Sequence, residues 1–281
     1  MQQYEAIGAS LSLSVRSCLP KDWDWRARRA LDFGCGAGRV LRHFADEAQS
    51  AEFWGCDIDG PSIAWLRERL CPPFHAFLVE ETPGLARADE YFDVVWAMSV
   101  FTHSTDNWAG WLLELHRVLK PGGYLIATFM GANMAAEVLG ESWDENRVGM
   151  NVVGAGRPWS QGGPLVFHSE WWVRAHWGRA FEVIQYQANA AHPGTHGLMV
   201  LRKRPTCLTI AELEQPEPGE PRELAAARHN IQQLHAEDRR VRELQLLMDH
   251  RPLQLVARLA RRWGSRARAR LRQISLDRRQ R

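Results

Sequence analysis

No run of about 18 consecutive apolar residues occurs in the 281-residue chain, so no membrane-spanning helix is expected. The opening Met1-Gln2-Gln3-Tyr4-Glu5 has no basic stretch leading into an apolar one, which argues against a secretory signal. Cysteine is scarce: five residues, at 18, 35, 56, 71 and 207, an odd number without paired spacing. That excludes a disulfide framework and a zinc site from the expectations and favours free thiols in a reducing cytoplasm. A GxxxxGK(S/T) phosphate loop is missing, as is any internal repeat at the period of a solenoid.

Net charge is small, +2, but unevenly spread. From Arg251 to Arg281 there are eleven arginines and one acid, Asp277, about +10, which leaves about −8 on the rest. An acidic body with a basic tail suits a soluble enzyme with a separate docking element better than a nucleic-acid-binding surface.

Residues 25–205 alternate short apolar runs with amphipathic stretches, the rhythm of a parallel sheet with crossover helices. Strands are predicted at Ala30–Phe33, Glu52–Asp57, Phe74–Val79, Phe92–Ala97, Gly123–Phe129, Phe181–Ala188 and Gly197–Arg202. Helices are predicted in the segment 1–24 and at Arg39–Ala48, Pro61–Leu70, Trp108–Leu119 and Ser169–Trp177. Lys120-Pro121-Gly122-Gly123 reads as a helix stop and turn. The insert 131–168 shows no period; a structureless loop of that length is expected only where it covers a binding site. Residues 206–222, with Glu212–Pro221 at their centre, read as a solvated linker. In 223–250 a 3-4 seam runs through Leu224, Ala227, Ile231, Leu234, Asp238, Val241, Gln245 and Met248, compatible with a coiled coil and homo-oligomer or with one helix packed back on the domain.

Leu31-Asp32-Phe33-Gly34-Cys35-Gly36-Ala37-Gly38-Arg39 is a strand entering a glycine-rich turn. Glycines at 34, 36 and 38 let the backbone approach a ligand, but GxGxG alone is weak evidence, and its spacing is tighter than the GxGxxG of dinucleotide enzymes. The next strand ends in Asp57-Ile58-Asp59, roughly twenty residues on, where a carboxylate can accept both hydroxyls of a ribose. Asp57 is the better candidate; Asp59 suits the N-cap of the helix carrying Pro61.

Four stretches in order, LDFGCGAGRVLRHF, GCDID, FDVVWAMSVFTHS and ELHRVLKPGGYLIATF, resemble the class I S-adenosylmethionine-dependent methyltransferases, over about residues 25–205. The resemblance implies an α/β fold, a doubly wound seven-stranded mostly parallel sheet of the Rossmann-like methyltransferase kind, whose last strand is antiparallel, with a C-terminal helical extension. It implies S-adenosyl-L-methionine as cofactor and S-adenosyl-L-homocysteine as product. By resemblance Gly34, Cys35, Gly36 and Gly38 line the methionine part and Asp32 lies near its amino group. Asp57 holds the ribose, Ile58 packs on adenine, and Ala97, Met98 and Ser99 form the floor beside the sulfonium. Where many members carry an Asp for the adenine amine, this chain has Glu80 and Glu81. Tyr4 is expected to close over the cofactor as N-terminal helices do in similar enzymes.

Methyl transfer to a hydroxyl calls for a base titrating near neutral pH. His103, past the fourth strand, and His168, closing the insert, are the candidates; each has a structural alternative, bracing the next helix or preceding its N-cap Ser169. Thirteen tryptophans are present, and Trp143 and Trp159 in the insert are candidate acceptor contacts, with core packing as the alternative. Together these suggest a bacterial O-methyltransferase acting on a sugar hydroxyl of a glycan or glycosylated small molecule. N- or phenolic O-methylation of a natural product, RNA methylation and a non-catalytic scaffold are the rivals. As a helix, the tail puts Leu255, Leu259 and Trp263 on one stripe among arginines, a pattern for an anionic membrane surface or a membrane-associated glycan-assembly partner, with nucleic acid, an acidic partner or a solvated disordered end as the alternatives. A cytoplasmic enzyme, peripheral at the inner face of the membrane, is the expectation.

Overall fold

The computed structural model describes residues 2–139, 143–191 and 196–250. They belong to two units that divide at Ala227/Arg228. The first begins with α1 (Gln2–Cys18), β1 (Arg29–Phe33), β2 (Glu52–Asp57), α2 (Gly60–Leu70), β3 (His75–Leu78) and β4 (Phe92–Ala97). It continues with α3 (Trp108–Val118), β5 (Leu119–Phe129), α4 (Ala132–Leu139), β6 (Met150–Val153), β7 (Leu165–His168) and α5 (Glu170–Ala180). Then come β8 (Phe181–Ala191), β9 (His196–Lys203), α6 (Ile210–Glu214) and α7 (Pro221–His250), which runs on into the second unit. That unit is described over 228–250, all of it in α7.

Seven strands form one sheet in the order β3-β2-β1-β4-β5-β9-β8. The pairs from β3 to β5 are parallel, and β9 is antiparallel to both β5 and β8. The expected doubly wound sheet with its antiparallel last strand is present. β4 is buried at every position, as a central strand covered on both faces must be. One core holds Leu11 and Val15 of α1 with Ile63 and Leu66 of α2. Another gathers residues of α3, α5 and α6 with Ala226 of α7.

Four expectations need correction. The helix predicted over Arg39–Ala48 is two 3-10 turns, Leu41–Phe44 and Glu47–Gln49. Arg16 of α1 donates from Nη2 to the His43 carbonyl at 2.6 Å, taking the acceptor that an α-helix would give to residue 47. Lys120–Gly123 is not a turn before a strand but lies within β5, as a register irregularity opposite Phe92 and Val94, with Gly122 at φ +71°. The insert is not structureless: it folds α4 and the antiparallel hairpin β6–β7.

The supposed linker is also structured. Thr209 and Glu212 form a reciprocal capping box on α6, and Leu213 is fully buried. Arg179 donates from Nη1 to the carbonyls of Glu212 and Gln215, at 2.6 Å each, and from Nη2 to Glu217. His176, stacked on Trp172, bonds the Leu213 carbonyl and Glu223 at 2.9 Å each. These anchors come from α5, distant in sequence, so composition alone could not reveal them. Among the described residues no helix is long and apolar enough to cross a membrane. The basic tail at 251–281 lies outside the described residues.

Candidate functional site

The glycine-rich turn after β1 stands at the carboxyl ends of the parallel strands, where doubly wound sheets bind ligands. Gly34, Gly36 and Gly38 have φ of +77°, +53° and +73°. At Gly34 the lack of a side chain is also a packing need, since a Cβ there would stand 2.3 Å from Val100 Cγ2. At Gly36 an added Cβ would meet nothing within 4 Å, so the loop is open there.

Asp57, ending β2, closes the loop from the other side. Its Oδ2 accepts the Gly36 N–H at 2.7 Å and its Oδ1 accepts the Asp59 N–H at 2.9 Å. A carboxylate has about four acceptor positions, so two bonds leave room for ribose hydroxyls. Asp59 is the N-cap residue of α2 by backbone geometry, without a side-chain cap bond. Ile58 is 48% exposed, and Leu78, register partner of Asp57 on β3, is 49% exposed. Two uncovered apolar side chains at adjoining strand ends suit a flat base; Leu78 carries no sequence signal beyond its place at a strand end. Val79 donates its N–H to the Asp57 carbonyl at 3.1 Å, and Glu80 and Glu81 follow, exposed.

Asp32 lies on β1 just before the turn. It is buried, Oδ2 has no hydrogen-bond partner, and burial pushes its carboxyl up to about 7. Cys35 is buried, donates its thiol to the Gly36 carbonyl at 3.3 Å, and burial pushes its pKa up. Tyr4, at the start of α1, is partly exposed beside the guanidinium groups of Arg39 and Arg42, 5.8 and 5.3 Å from its ring. The Arg39 carbonyl would be 2.1 Å from a Cβ at position 8, so glycine there lets α1 lie directly against the loop.

The floor after β4 contains Ala97 and Met98, buried, and Ser99 at φ +61°, unusual for a residue with a side chain. The Ser99 N–H donates to Thr128 Oγ1 of β5 at 2.7 Å, and Thr128 is itself buried. Nothing in the sequence marked Thr128, because it reads as one more residue of a strand.

The insert hairpin docks on these strand ends. Val166 donates to the Thr102 carbonyl and His168 to the Met130 carbonyl, both at 2.8 Å. That brings together two residues singled out from sequence: the rings of His103 and Trp159 are 5.6 Å apart, edge to face. His103 Nδ1 lies 2.7 Å from the Pro164 carbonyl. A carbonyl only accepts, so Nδ1 carries a proton, and in the neutral ring the lone pair is then on Nε2. Trp159 is 62% exposed.

His168 and Trp143 are placed otherwise. His168 is wholly buried against Trp172 and Trp177, neither ring nitrogen has a partner, and burial lowers its pKa to about 3. A group that stays neutral to that acidity is a weak base at neutral pH, so the expectation of a base at 168 is corrected. Trp143 is half-buried and packs on Phe167 within the insert's own small core, rather than presenting a free face.

Residues 31–127 match the family model for a methyltransferase domain. Over that stretch the chain carries a methyltransferase domain, similar to those of S-adenosylmethionine-dependent methyltransferases. It is 31% identical over 101 residues to phthiotriol/phenolphthiotriol dimycocerosates methyltransferase 1 of Mycobacterium ulcerans, covering 36% of this chain and 37% of that one. It is 30% identical over 118 residues to malonyl-(acyl-carrier protein) O-methyltransferase of Enterobacter lignolyticus, covering 42% and 45%. The matched part is thus less than half the length of these curated relatives. Among solved structures the fold is shared with the PH0226 protein of Pyrococcus horikoshii, at TM-score 0.53 and 18% identity over 73% of this chain and 92% of that one. The cyclase SpnF shares it as well, at TM-score 0.51 and 20% identity over 69% and 81%, so the fold by itself does not name the reaction.

Proposed function

We propose that this chain transfers a methyl group from S-adenosylmethionine to an oxygen of its acceptor, a sugar hydroxyl of a glycan or glycosylated small molecule. The residues present fit the cofactor. The unpartnered, buried Asp32 Oδ2 suits a cationic amino group, Gly36 leaves open space, and Asp57 has acceptor positions to spare. Ile58 and Leu78 offer apolar surface to the adenine, with Glu80 and Glu81 near its amine and Tyr4 beside the mouth. When bound, the cofactor supplies a methyl group on a sulfonium, open to in-line displacement.

The hydroxyl acceptor is carried by one observation, the His103–Pro164 hydrogen bond. In the neutral ring it selects the tautomer whose lone pair is on Nε2, beside an exposed indole on which a sugar ring can stack. In this reading the acceptor hydroxyl would lie against Nε2, which would take its proton during transfer. The Pro164 carbonyl supports the imidazolium that forms.

A second reading is favoured by the names of relatives. These include the malonyl-(acyl-carrier protein) enzyme and a fatty-acid O-methyltransferase of Mycolicibacterium smegmatis, 30% identical over 105 residues covering 37% of this chain and 38% of that one. A carboxylate acceptor is anionic at neutral pH and has no proton to give His103. A panel of glycosides, fatty acids and phenols incubated with radiolabelled S-adenosylmethionine tests both. Transfer to glycosides that collapses in His103→Gln supports the first reading; transfer to carboxylates unaffected by His103→Gln replaces it with the second. The arginine-rich segment 251–281 would then bring the enzyme to an anionic membrane surface, at about 1 kcal/mol per nearby arginine. Loss of co-sedimentation with anionic vesicles on removing that segment is the expected result, and unchanged co-sedimentation would exclude it.

A further inference from the structure

Among the described side chains of α7, apolar residues between 228 and 245 are exposed. Ile231, Leu234, Val241 and Leu244 are each more than half exposed on a helix of 30 residues. Long helices in proteins take most of their stability from packing one face, and from Arg228 to Glu243 the other positions are polar apart from Ala236. Ile231, Leu234, Asp238, Val241 and Gln245 follow one another at spacings of three and four, the a and d positions of a heptad repeat.

We propose that residues 228–250 of α7 pair with the same segment of a second copy of this chain as a short parallel coiled coil. The flanking charges choose both occupant and direction. With Ile231, Asp238 and Gln245 at a, Glu237 falls at g, and Arg228, His235, Arg242 and Asp249 fall at e. A parallel pair sets Glu237 of each copy against Arg242 of the other. An antiparallel pair that keeps the full overlap of the seam would set Glu237 near Glu237 and Arg228 near Arg242, like against like, and the register that instead sets Arg228 near Asp249 gives up the Glu237–Arg242 pairing. The main cost of the parallel arrangement is Asp238 at a facing its own copy. Within each helix Arg242 already holds Asp238 at 2.6 Å, so that carboxylate enters the seam paired. The segment spans roughly 35 Å, and a seam so short and interrupted gives a weak, concentration-dependent dimer. Glu223 is not available to the pairing, because it bonds His176 within the domain.

The full chain is to be examined by sedimentation velocity across the micromolar range. Its mass should double with concentration, and Leu234→Asp should raise the dissociation constant at least tenfold with melting temperature and S-adenosylhomocysteine binding unchanged. Asp238→Leu should lower it at least tenfold. Direction is read in a Cys207→Ser background, removing an exposed thiol, by oxidising a Gln245→Cys variant: the covalent dimer should form in high yield. Monomer at every concentration, a dimer indifferent to Leu234→Asp, or a dimer that Gln245→Cys fails to cross-link would overturn the proposal.

Discussion

The backbone N–H of Gly36 donates to Asp57 Oδ2 at 2.7 Å, tying the glycine turn after β1 to the acid ending β2. The carboxylate proposed to hold a ribose therefore also shapes the loop proposed to hold the methionine part. Removing it should damage both.

Asp57→Ala is expected to weaken S-adenosylhomocysteine binding by about 2–4 kcal/mol, some 30-fold to a thousandfold, since both a ligand contact and the Gly36 anchor are lost. Calorimetry on wild type and variant measures it; equal affinities would remove Asp57 from the site.

Gly36→Ala and Gly34→Ala should fail in different ways. The first puts a methyl group into open space at a cost of about 1 kcal/mol for the positive φ, so the protein folds while cofactor affinity falls. The second drives Cβ into Val100 and should lower the melting temperature markedly. Thermal melts beside binding isotherms separate the two; a Gly36→Ala protein that binds normally would show the pocket to lie elsewhere.

Asp32 gives a pH signature. Burial raises its carboxyl to about 7, so the folded protein holds a proton that the unfolded chain gives up near pH 4. Below about pH 4 this group does not weaken the empty protein. The penalty grows as pH rises and is complete above about 7, reaching up to a few kcal/mol at about 1.4 kcal/mol per pH unit. Asp32→Asn should therefore melt higher than wild type at pH 8 yet bind S-adenosylhomocysteine more weakly. A variant less stable at pH 8 and equally stable at pH 4 contradicts this.

Thr128→Val keeps the volume at a buried position and removes the acceptor of the Ser99 N–H. A loss of about 1–3 kcal/mol in stability is expected, together with a fall in kcat larger than any change in KM, as the strained turn at Ser99 relaxes. Thr128→Ser, which keeps the oxygen, should recover most of kcat. If Ser and Val behave alike, the hydroxyl has no part in holding the floor.

His103→Gln should lower kcat on a hydroxyl acceptor by about 100-fold or more while S-adenosylhomocysteine binding is unchanged. Turnover of the best acceptor from the panel beside a binding isotherm decides this, and an unchanged kcat would exclude His103 as the base.

The strand-and-helix rhythm, the GxGxG turn and the acid ending β2 were all present in the sequence, because they depend on short-range needs: apolar periodicity, backbone freedom at Gly34, a carboxylate at a fixed offset. The insert hid its hairpin because Met150–Val153 and Leu165–His168 find each other across eleven residues of glycine-rich chain. A local reading also placed a helix at Arg39–Ala48, where Arg16 from a distant element takes the His43 carbonyl. The tautomer of His103 depends on a carbonyl 61 residues away, and the turn at Ser99 on a hydroxyl 29 residues away. Local chemistry determined which fold this chain adopts and where a cofactor would sit. Which histidine lies partly exposed beside Trp159, and which is sealed between two tryptophans, was decided only by packing, since burial and hydrogen-bond partners are properties of the assembled core.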